Sequence, residues 1–349
     1  MKDKLKIAII GASGYTGLEL IRILQNHQFS DIQILIGQSN AGKKMLEIYP
    51  HLDIIDLPKL ITLEEADFSN MDVIFSCLPH GHSQKIITNI FSSNHKKSLK
   101  VIDLAADFRL KNSDDYQKWY GEHQAINLQK EAIYSLPEIN RQKIRKARLI
   151  ACPGCYPTSI LLPLLPLLNN CLIKSNSIIS DSKSGVTGAG RSLKLGNLFC
   201  EANENILAYG IASHRHIAEV EQEINLISKS NAKIDFTPHL IPVNRGILST
   251  IYIDLMDGFT EQDLINCLKT KYEDEYFVKI SDHIPAIKEV NGTNLCKISV
   301  SKARSSNKAI IVSVIDNLIK GASGQAVQNM NIAFGIDERE GLDILGHLT

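Results

Sequence analysis

Short, nearly continuous apolar runs alternate with helically spaced apolar positions over the first 150 or so residues, and the pattern then changes. Leu5 to Ile10 is such a run, as expected of a strand buried on both faces of a parallel sheet, and Leu18, Leu20, Ile21 and Leu24 follow at helical spacing. Further strands are predicted at Ile32 to Ile36, Met71 to Cys77 and Lys100 to Leu104, with helical spacing at Ile86, Ile87 and Ile90, and a last apolar run at Ala147 to Cys152. This βα alternation predicts an α/β, Rossmann-type domain. From about residue 157 the alternation gives way to longer extended runs at Ser177 to Ser182, Lys233 to His239, Gly246 to Leu255, Leu295 to Ala303 and Ala309 to Ile315. These predict a largely antiparallel sheet with helices to one side, a second, α+β domain. Gly321 to Asn331, with Gln325, Gln328 and Asn329, reads as a helix with amides on one side that returns to the first domain. The expected organisation is 1–155 plus 321–349 for one domain and 156–320 for the other.

The chemistry sits where these elements end. The first strand stops at Gly11, and Ser13, Gly14, Tyr15, Thr16 and Gly17 lead into a helix. Strand, glycine-rich turn and helix is the setting in which a backbone approaches a pyrophosphate at a helix N-terminus. The spacing is G-x-x-G-x-x-G, a variant of the usual fingerprint. After the second strand, where an acid would hold the ribose hydroxyls of NAD, the chain carries Gln38, Ser39, Asn40, Lys43 and Lys44 instead. Hydroxyl, amide and ammonium groups suit a 2′-phosphate, so NADP(H) is the expected cofactor, although charge alone makes the two lysines a solvated loop. Pro79 lies in the loop after the Met71 to Cys77 strand, at the carboxyl end where open sheets bind ligands, and Ser83 is placed to cap the next helix. Asp107 and Arg109 follow another strand and suit either a charged ligand or a salt bridge.

Cys155 follows the Ala147 to Cys152 run in a turn that opens a further helix. Pro157 suits a first helical turn, and Thr158 and Ser159 bring hydroxyls for capping. A thiol there faces backbone N–H groups and the positive end of the helix dipole, both of which favour thiolate, which makes Cys155 a candidate nucleophile. Cys152 and Cys155 have the spacing of a metal or redox pair, but no second closely spaced Cys/His pair follows, and no metal is expected. In the second domain Lys183 to Arg191 is a glycine-rich stretch with hydroxyls and two cations, suited to an oxyanion. Ser213 to His216 opens a helix with Ile217, Val220 and Ile224 on one face, and either His214 or His216 could carry a proton for a thiolate.

Composition narrows the partners. The 38 basic and 38 acidic side chains balance, leaving no electrostatic footprint for nucleic acid or an anionic membrane. The most apolar stretch, Ile160 to Leu168, is interrupted by Pro163 and Pro166 and falls short of the roughly 18 residues of a membrane span. Seven cysteines without framework spacing suit free thiols in a reducing compartment, and no signal-peptide core precedes Gly11, so a cytoplasmic protein with a small-molecule substrate is expected.

Taken together, these motifs resemble the N-acetyl-gamma-glutamyl-phosphate reductases, within the aspartate-semialdehyde dehydrogenase-like superfamily. The resemblance runs through Gly11 to Gly17, Ser39 to Lys43, Asp103 to Leu110, Leu136 to Arg141, Pro153 to Thr158, Gly185 to Arg191, His214 to His216, Phe236 to Pro242, Arg245-Gly246 and Asp316 to Asn331. It implies an NADP-binding domain completed by the C-terminal helix, a catalytic and oligomerisation domain, a homodimer or homotetramer, and Cys155 as nucleophile. The implied reaction is reduction of an acyl phosphate through a cysteine thioester, with Arg109, Lys183, Arg191 and Arg215 as cations for the substrate, Arg109 and Arg191 foremost. The same chemistry on aspartyl phosphate or an N-acylated aminoadipyl phosphate, and a non-catalytic NADP-binding sensor, are the competing expectations. The chain departs from the family at Cys152, Ala105, Ser213 and Ala218, and Cys152 adds a thiol that would trap Cys155 as a disulfide under oxidation.

Overall fold

The computed structural model describes residues 4–93, 96, 98–305 and 307–346. The chain forms two compact units, Met1–Pro153 with Ala322–Asp343, and Gly154–Gly321 with Ile344–Thr349. Cys155 thus belongs to the second unit rather than closing the first, because it is already the first residue of a helix of that unit. The chain also leaves the first unit again at Ile344. Gly346 packs so closely on the second unit that an added Cβ would lie 2.8 Å from the Asn291 carbonyl oxygen.

The first unit is built on strands β1 (Leu5–Ile10), β2 (Ser30–Ile36), β3 (Leu60–Ile61), β4 (Val73–Ser76), β5 (Lys100–Asp103), β6 (Ile133–Tyr134) and β7 (Leu149–Ala151). All are paired in parallel, in the order β3-β2-β1-β4-β5-β7-β6. Ile7, Ala8, Ile9 and Ile10 are buried, as a strand covered on both faces requires. The order reverses between β1 and β4, and the crevice beyond their carboxyl ends is where such sheets bind ligands. Helix α1 (Tyr15–Leu24) follows β1, and α2 (Ser83–Ser93) follows β4.

Asp103 closes β5 and is fully buried beside Asp107. Ser83 does not serve as a helix cap in the manner expected. Its hydroxyl donates to Asp107 at 2.6 Å and lies 3.0 Å from an oxygen of Asp103, while Asp107 accepts the N–H groups of Gly81 and Ser83 at the start of α2. The capping oxygen comes from a carboxylate 24 residues away. Burial first, and the charge of Asp107 second, push the Asp103 carboxyl up to about 7. Burial also acts to raise Asp107, but hydrogen bonds from Ser83, Tyr116, Gln84 and the Gly81 N–H outweigh it and hold that carboxyl below its usual range.

Asp103 therefore keeps its proton in the folded chain to about pH 7 and loses it in the unfolded chain near pH ~3.9. The stability this proton supplies is complete at acid pH and is lost as pH rises through the folded value. Asp103→Asn, neutral throughout, is expected to flatten the fall in melting temperature across that window. Thermal unfolding at a series of pH values checks this, and parallel curves for the two proteins would refute it.

The second unit carries β8 (Ile179–Gly185), β9 (Leu207–Ala208), β10 (Asp235–Ile241), β11 (Ile247–Asp254), β12 (Val278–Ile280), β13 (Cys296–Lys302) and β14 (Lys308–Ile315), in the order β12-β13-β14-β11-β8-β10-β9. Pairing is mostly antiparallel, as expected, but β10 with β8 and β12 with β13 run parallel. Helix α3 (Cys155–Asn169) packs on one face of this sheet and against α4 (His216–Ser228). Its contact with the sheet is partly polar: Ser159 meets Ser249 at 2.7 Å, and Ser249 meets Ser182 at 2.7 Å, so these buried hydroxyls satisfy one another.

Pro163 and Pro166, expected to interrupt this apolar stretch, lie inside α3 without ending it. Pro166 has no N–H for the Leu162 carbonyl one turn back, and the Tyr272 hydroxyl donates to that carbonyl instead at 2.5 Å.

The predicted amide-bearing helix is α5 (Gly324–Phe334), and it belongs to the first unit. The amides are buried there because each meets a polar group of that unit. Asn331 faces His27 Nε2 at 2.8 Å, Gln328 donates to Glu338 at 3.1 Å, and Asn329 donates to the Ser135 hydroxyl at 3.0 Å. No helix among the described residues is long and apolar enough to cross a membrane.

Candidate active site

The first unit offers a cradle for a dinucleotide. Gly11 has φ +81°, and an added Cβ would lie 2.6 Å from the Cys77 carbonyl oxygen, so the turn after β1 closes tightly on the end of β4. A Cβ at Gly17 would lie 2.6 Å from backbone atoms of Gly11 and Ala12. Gly14, the N-cap of α1, meets only the Gly11 carbonyl at 3.5 Å, so its bareness leaves room at the helix mouth rather than serving internal packing. No side chain caps α1 and its first turn holds no acid, which suits an anion there.

The surrounding residues hold this turn in shape. Asn40 donates to the Ser13 hydroxyl at 3.3 Å, the Tyr49 hydroxyl donates to the Ser13 carbonyl at 2.9 Å, and the Thr16 side chain is hydrogen-bonded to Cys77. Tyr15 opens α1. Ser39 and Lys43 are exposed in the loop after β2, where Gln38 is engaged by Glu64 at 3.5 Å. Glu64 is an acid that local sequence reading did not place near this loop. Pro79 is exposed just beyond β4.

Asn329 is fully buried on α5, and its Oδ1 has no hydrogen-bond partner among the described residues. An orphaned acceptor in a first unit with this glycine turn fits the carboxamide N–H of a nicotinamide. The residues of this unit therefore fit the cofactor expected from the sequence.

Arg109 is nearly buried and donates through Nε to the Cys152 carbonyl and through a terminal nitrogen to the Leu104 carbonyl, both at 2.7 Å. Two of its donors thus hold backbone. Burial pushes the Cys152 thiol up to about 12, and Asn329 Nδ2 lies 3.7 Å from its sulfur.

In the second unit Cys155 is the first residue of α3, half-buried, with Gly154 as N-cap and no acid in the first turn. The dipole argument made from sequence applies directly to this position. The hydroxyls of Thr158 and Ser159 do not cap the helix as expected; they donate to the Gly154 and Tyr156 carbonyls one turn back.

The next residue, Tyr156, gathers both histidines. Its ring centre lies 5.7 Å from that of His214, 6.0 Å from His216 and 5.2 Å from Phe236, and its hydroxyl meets that of Tyr209 at 3.1 Å. Burial, followed by the charge of Arg215, lowers His214 to about 4. Its Nδ1 accepts the His216 N–H at 3.2 Å, which places the ring proton on Nε2. His214 is thus a neutral hydrogen-bond donor at physiological pH.

The predicted cations divide. Arg191 and Arg215 are exposed in this unit. Lys183 is turned to the opposite face of the sheet from α3. Ser182 and Ser184 on either side of it point inward by the strand's period of two, and its ammonium pairs with Asp181 at 2.7 Å.

Three residues were not placed near Cys155 by the sequence reading. Glu219 accepts the Gly154 N–H, Tyr209 meets Tyr156, and Gly321 lies so close that a Cβ there would be 2.8 Å from the Cys155 Cβ. Glu219, Glu221 and Glu223 alternate along α4, and nothing local singles out the first of them.

Both halves define a semialdehyde dehydrogenase in the broad sense. The family model for the semialdehyde dehydrogenase NAD-binding domain matches residues 6–147, and that for the semialdehyde dehydrogenase dimerisation domain matches residues 155–317. A solved structure, aspartate semialdehyde dehydrogenase II of Vibrio cholerae complexed with ASA, shares the fold with a TM-score of 0.71 at 16% identity, over 96% of this chain and 99% of that one. Among curated relatives, the probable chloroplastic N-acetyl-gamma-glutamyl-phosphate reductase of Arabidopsis thaliana is 49% identical over 97% of this chain and 84% of its own length. The N-acetyl-gamma-glutamyl-phosphate reductase of Rhodospirillum rubrum is 47% identical over 98% of both. The chain belongs to the N-acetyl-gamma-glutamyl-phosphate reductase family.

Proposed function

We propose that this chain reduces N-acetyl-L-glutamyl 5-phosphate to N-acetyl-L-glutamate 5-semialdehyde and phosphate with NADPH, a step of arginine biosynthesis, through a thioester on Cys155. The observation that carries this reading is a thiol at the mouth of α3 whose next residue, Tyr156, is flanked by His214 and His216. The Cys155 thiolate attacks the acyl carbon and the acyl–oxygen bond breaks. The leaving phosphate takes a proton from water and departs as a dianion. The bound reduced nicotinamide supplies the hydride that the thioester carbon needs. The sulfur–carbon bond then breaks, aldehyde is released and Cys155 returns as thiolate.

His216 is proposed to lend a proton to the developing alkoxide and recover it as sulfur is expelled, because His214 is held neutral and suits hydrogen-bond donation from Nε2. Arg191 and Arg215 serve the anionic groups of the substrate, and Arg109 holds the Cys152 carbonyl. Ser39 and Lys43 receive the 2′-phosphate of the cofactor.

A homo-oligomer is proposed through the second unit. Its support is the dimerisation-domain match and the exposed apolar side chains Ile179, Tyr252, Leu193 and Phe199 in that unit. The cytoplasm is the proposed compartment, supported by seven free cysteines.

The test is a spectrophotometric assay of the reverse reaction with phosphate, offering acetylated and unacetylated semialdehydes, each with NADP and NAD. Fastest turnover is expected with the acetylated glutamate semialdehyde and NADP. A preference for aspartate semialdehyde would overturn the substrate. An acid limb in the pH–rate profile near 4 would move the proton from His216 to His214.

A further inference from the structure

We propose that Glu219 is the positioning residue for the nucleophile, its buried carboxylate setting the turn that carries Cys155; this rests on the reading of Cys155 as the reacting group. The Gly154 N–H donates to Glu219 Oε1 at 2.7 Å, and Glu219 is 1% exposed. Gly154 is the N-cap of α3 and brings no capping side chain. In an ordinary capping box the third helical residue, a Glu or Gln, reaches back to the N-cap N–H. Here the third residue is Pro157, which has no such group. Glu219 supplies the missing half of the box from α4, 65 residues further along the chain.

The same helix begins at His216, one turn before Glu219. One carboxylate therefore ties the thiol's turn to the helix that presents the histidines, so that sulfur and imidazole keep a common frame. The geometry also has an electrostatic consequence. A carboxylate one residue from the thiol opposes the helix dipole and disfavours thiolate. Titratable groups around this turn include Tyr156 and Tyr209, both raised by burial first and also by the charge of Cys155, together with His214 and His216 and, beyond Gly321, Asp316.

Two variants separate position from charge. Glu219→Gln keeps an oxygen acceptor for Gly154 and removes the charge; Glu219→Ala removes both. The first readout is iodoacetamide alkylation of Cys155 against pH, followed by the mass of the Cys155 peptide, because Cys171 and Cys200 are exposed and compete for the reagent. This needs no acyl substrate and so succeeds or fails independently of the reductase assignment. The alkylation profile of Glu219→Gln is expected to move to lower pH by about one unit. The second readout is steady-state turnover: Glu219→Gln is expected to stay within several-fold of the parent, and Glu219→Ala to lose about 10²-fold in kcat with the KM for NADPH unchanged. An unmoved alkylation profile in Glu219→Gln, or a kcat of Glu219→Ala equal to that of the parent, would overturn the proposal. Loss of turnover in Glu219→Gln as deep as in Glu219→Ala, with an intact melting temperature, would overturn it as well.

Discussion

Cys155→Ser is expected to lower phosphate-dependent turnover by roughly 10⁴-fold or more while leaving NADPH binding at the parental affinity. A serine hydroxyl at the mouth of α3 is far harder to ionise than a thiol in the same place, so no acyl-enzyme is expected to form at a useful rate. The glycine turn after β1 belongs to the other unit and is untouched by the change, which is why cofactor affinity should not follow activity. The decisive measurement is mass spectrometry of the parent enzyme, quenched after exposure to its acyl phosphate without reductant. An acyl group on the Cys155 peptide is expected, and none on the matching peptide of the Cys155→Ser variant. A parent enzyme that turned over yet never carried that adduct would end the thioester mechanism.

Gly321→Ala should come next in severity. The added methyl carbon would lie 2.8 Å from the Cys155 Cβ, and 3.3 Å from both the Cys155 Cα and the Asp316 carbonyl oxygen. None of these is the far end of a flexible side chain, so the strain must be relieved by moving backbone. Gly321 closes on Asp316 through its own N–H at 2.9 Å, and Asp316 is fully buried with its carboxylate accepting the N–H groups of Gly292 and Leu318. The start of α3 is therefore the part expected to yield. Overpacking of this kind costs about 1–3 kcal/mol of stability, and a shift of the nucleophile by about 1 Å costs about 10²-fold in kcat. Steady-state kinetics beside thermal unfolding would check both. Parental kcat in a folded Gly321→Ala protein would show that Cys155 does not depend on this contact.

Much of the first unit was legible because its central strands are apolar and buried on both faces. The run Leu5 to Ile10 and the glycine turn after it announced β1 and its ligand crevice without further help. The two-residue strands β3, β6 and β9 left no such trace, since periodicity needs more positions than they have. In the candidate site, whatever depends on neighbours along the chain was readable: Cys155 at a helix start, and His214 and His216 before an apolar face. Hydrogen-bonding residues were read less well. Ser83, Thr158 and Ser159 all looked like caps, yet their partners are Asp103 and Asp107 in one case and carbonyls a turn back in the others. Lys183 looked like a ligand for an anion until the alternation of β8 put it on the other face. Glu219 could not have been found from spacing, because what makes it matter is an N–H that lies far away in sequence.

The nucleotide unit is discontinuous, and α5 is its last element to be translated. Until residues 322–343 have left the ribosome, Ser135 and His27 lack their amide partners and Arg141 lacks Glu338. This unit is thus completed only after residues 154–321 of the other have been made, and a message cut short before this helix yields a nucleotide unit with an open flank. Synthesis through residue 343 is in this way a condition for closing a unit whose first strand was made more than 300 residues earlier.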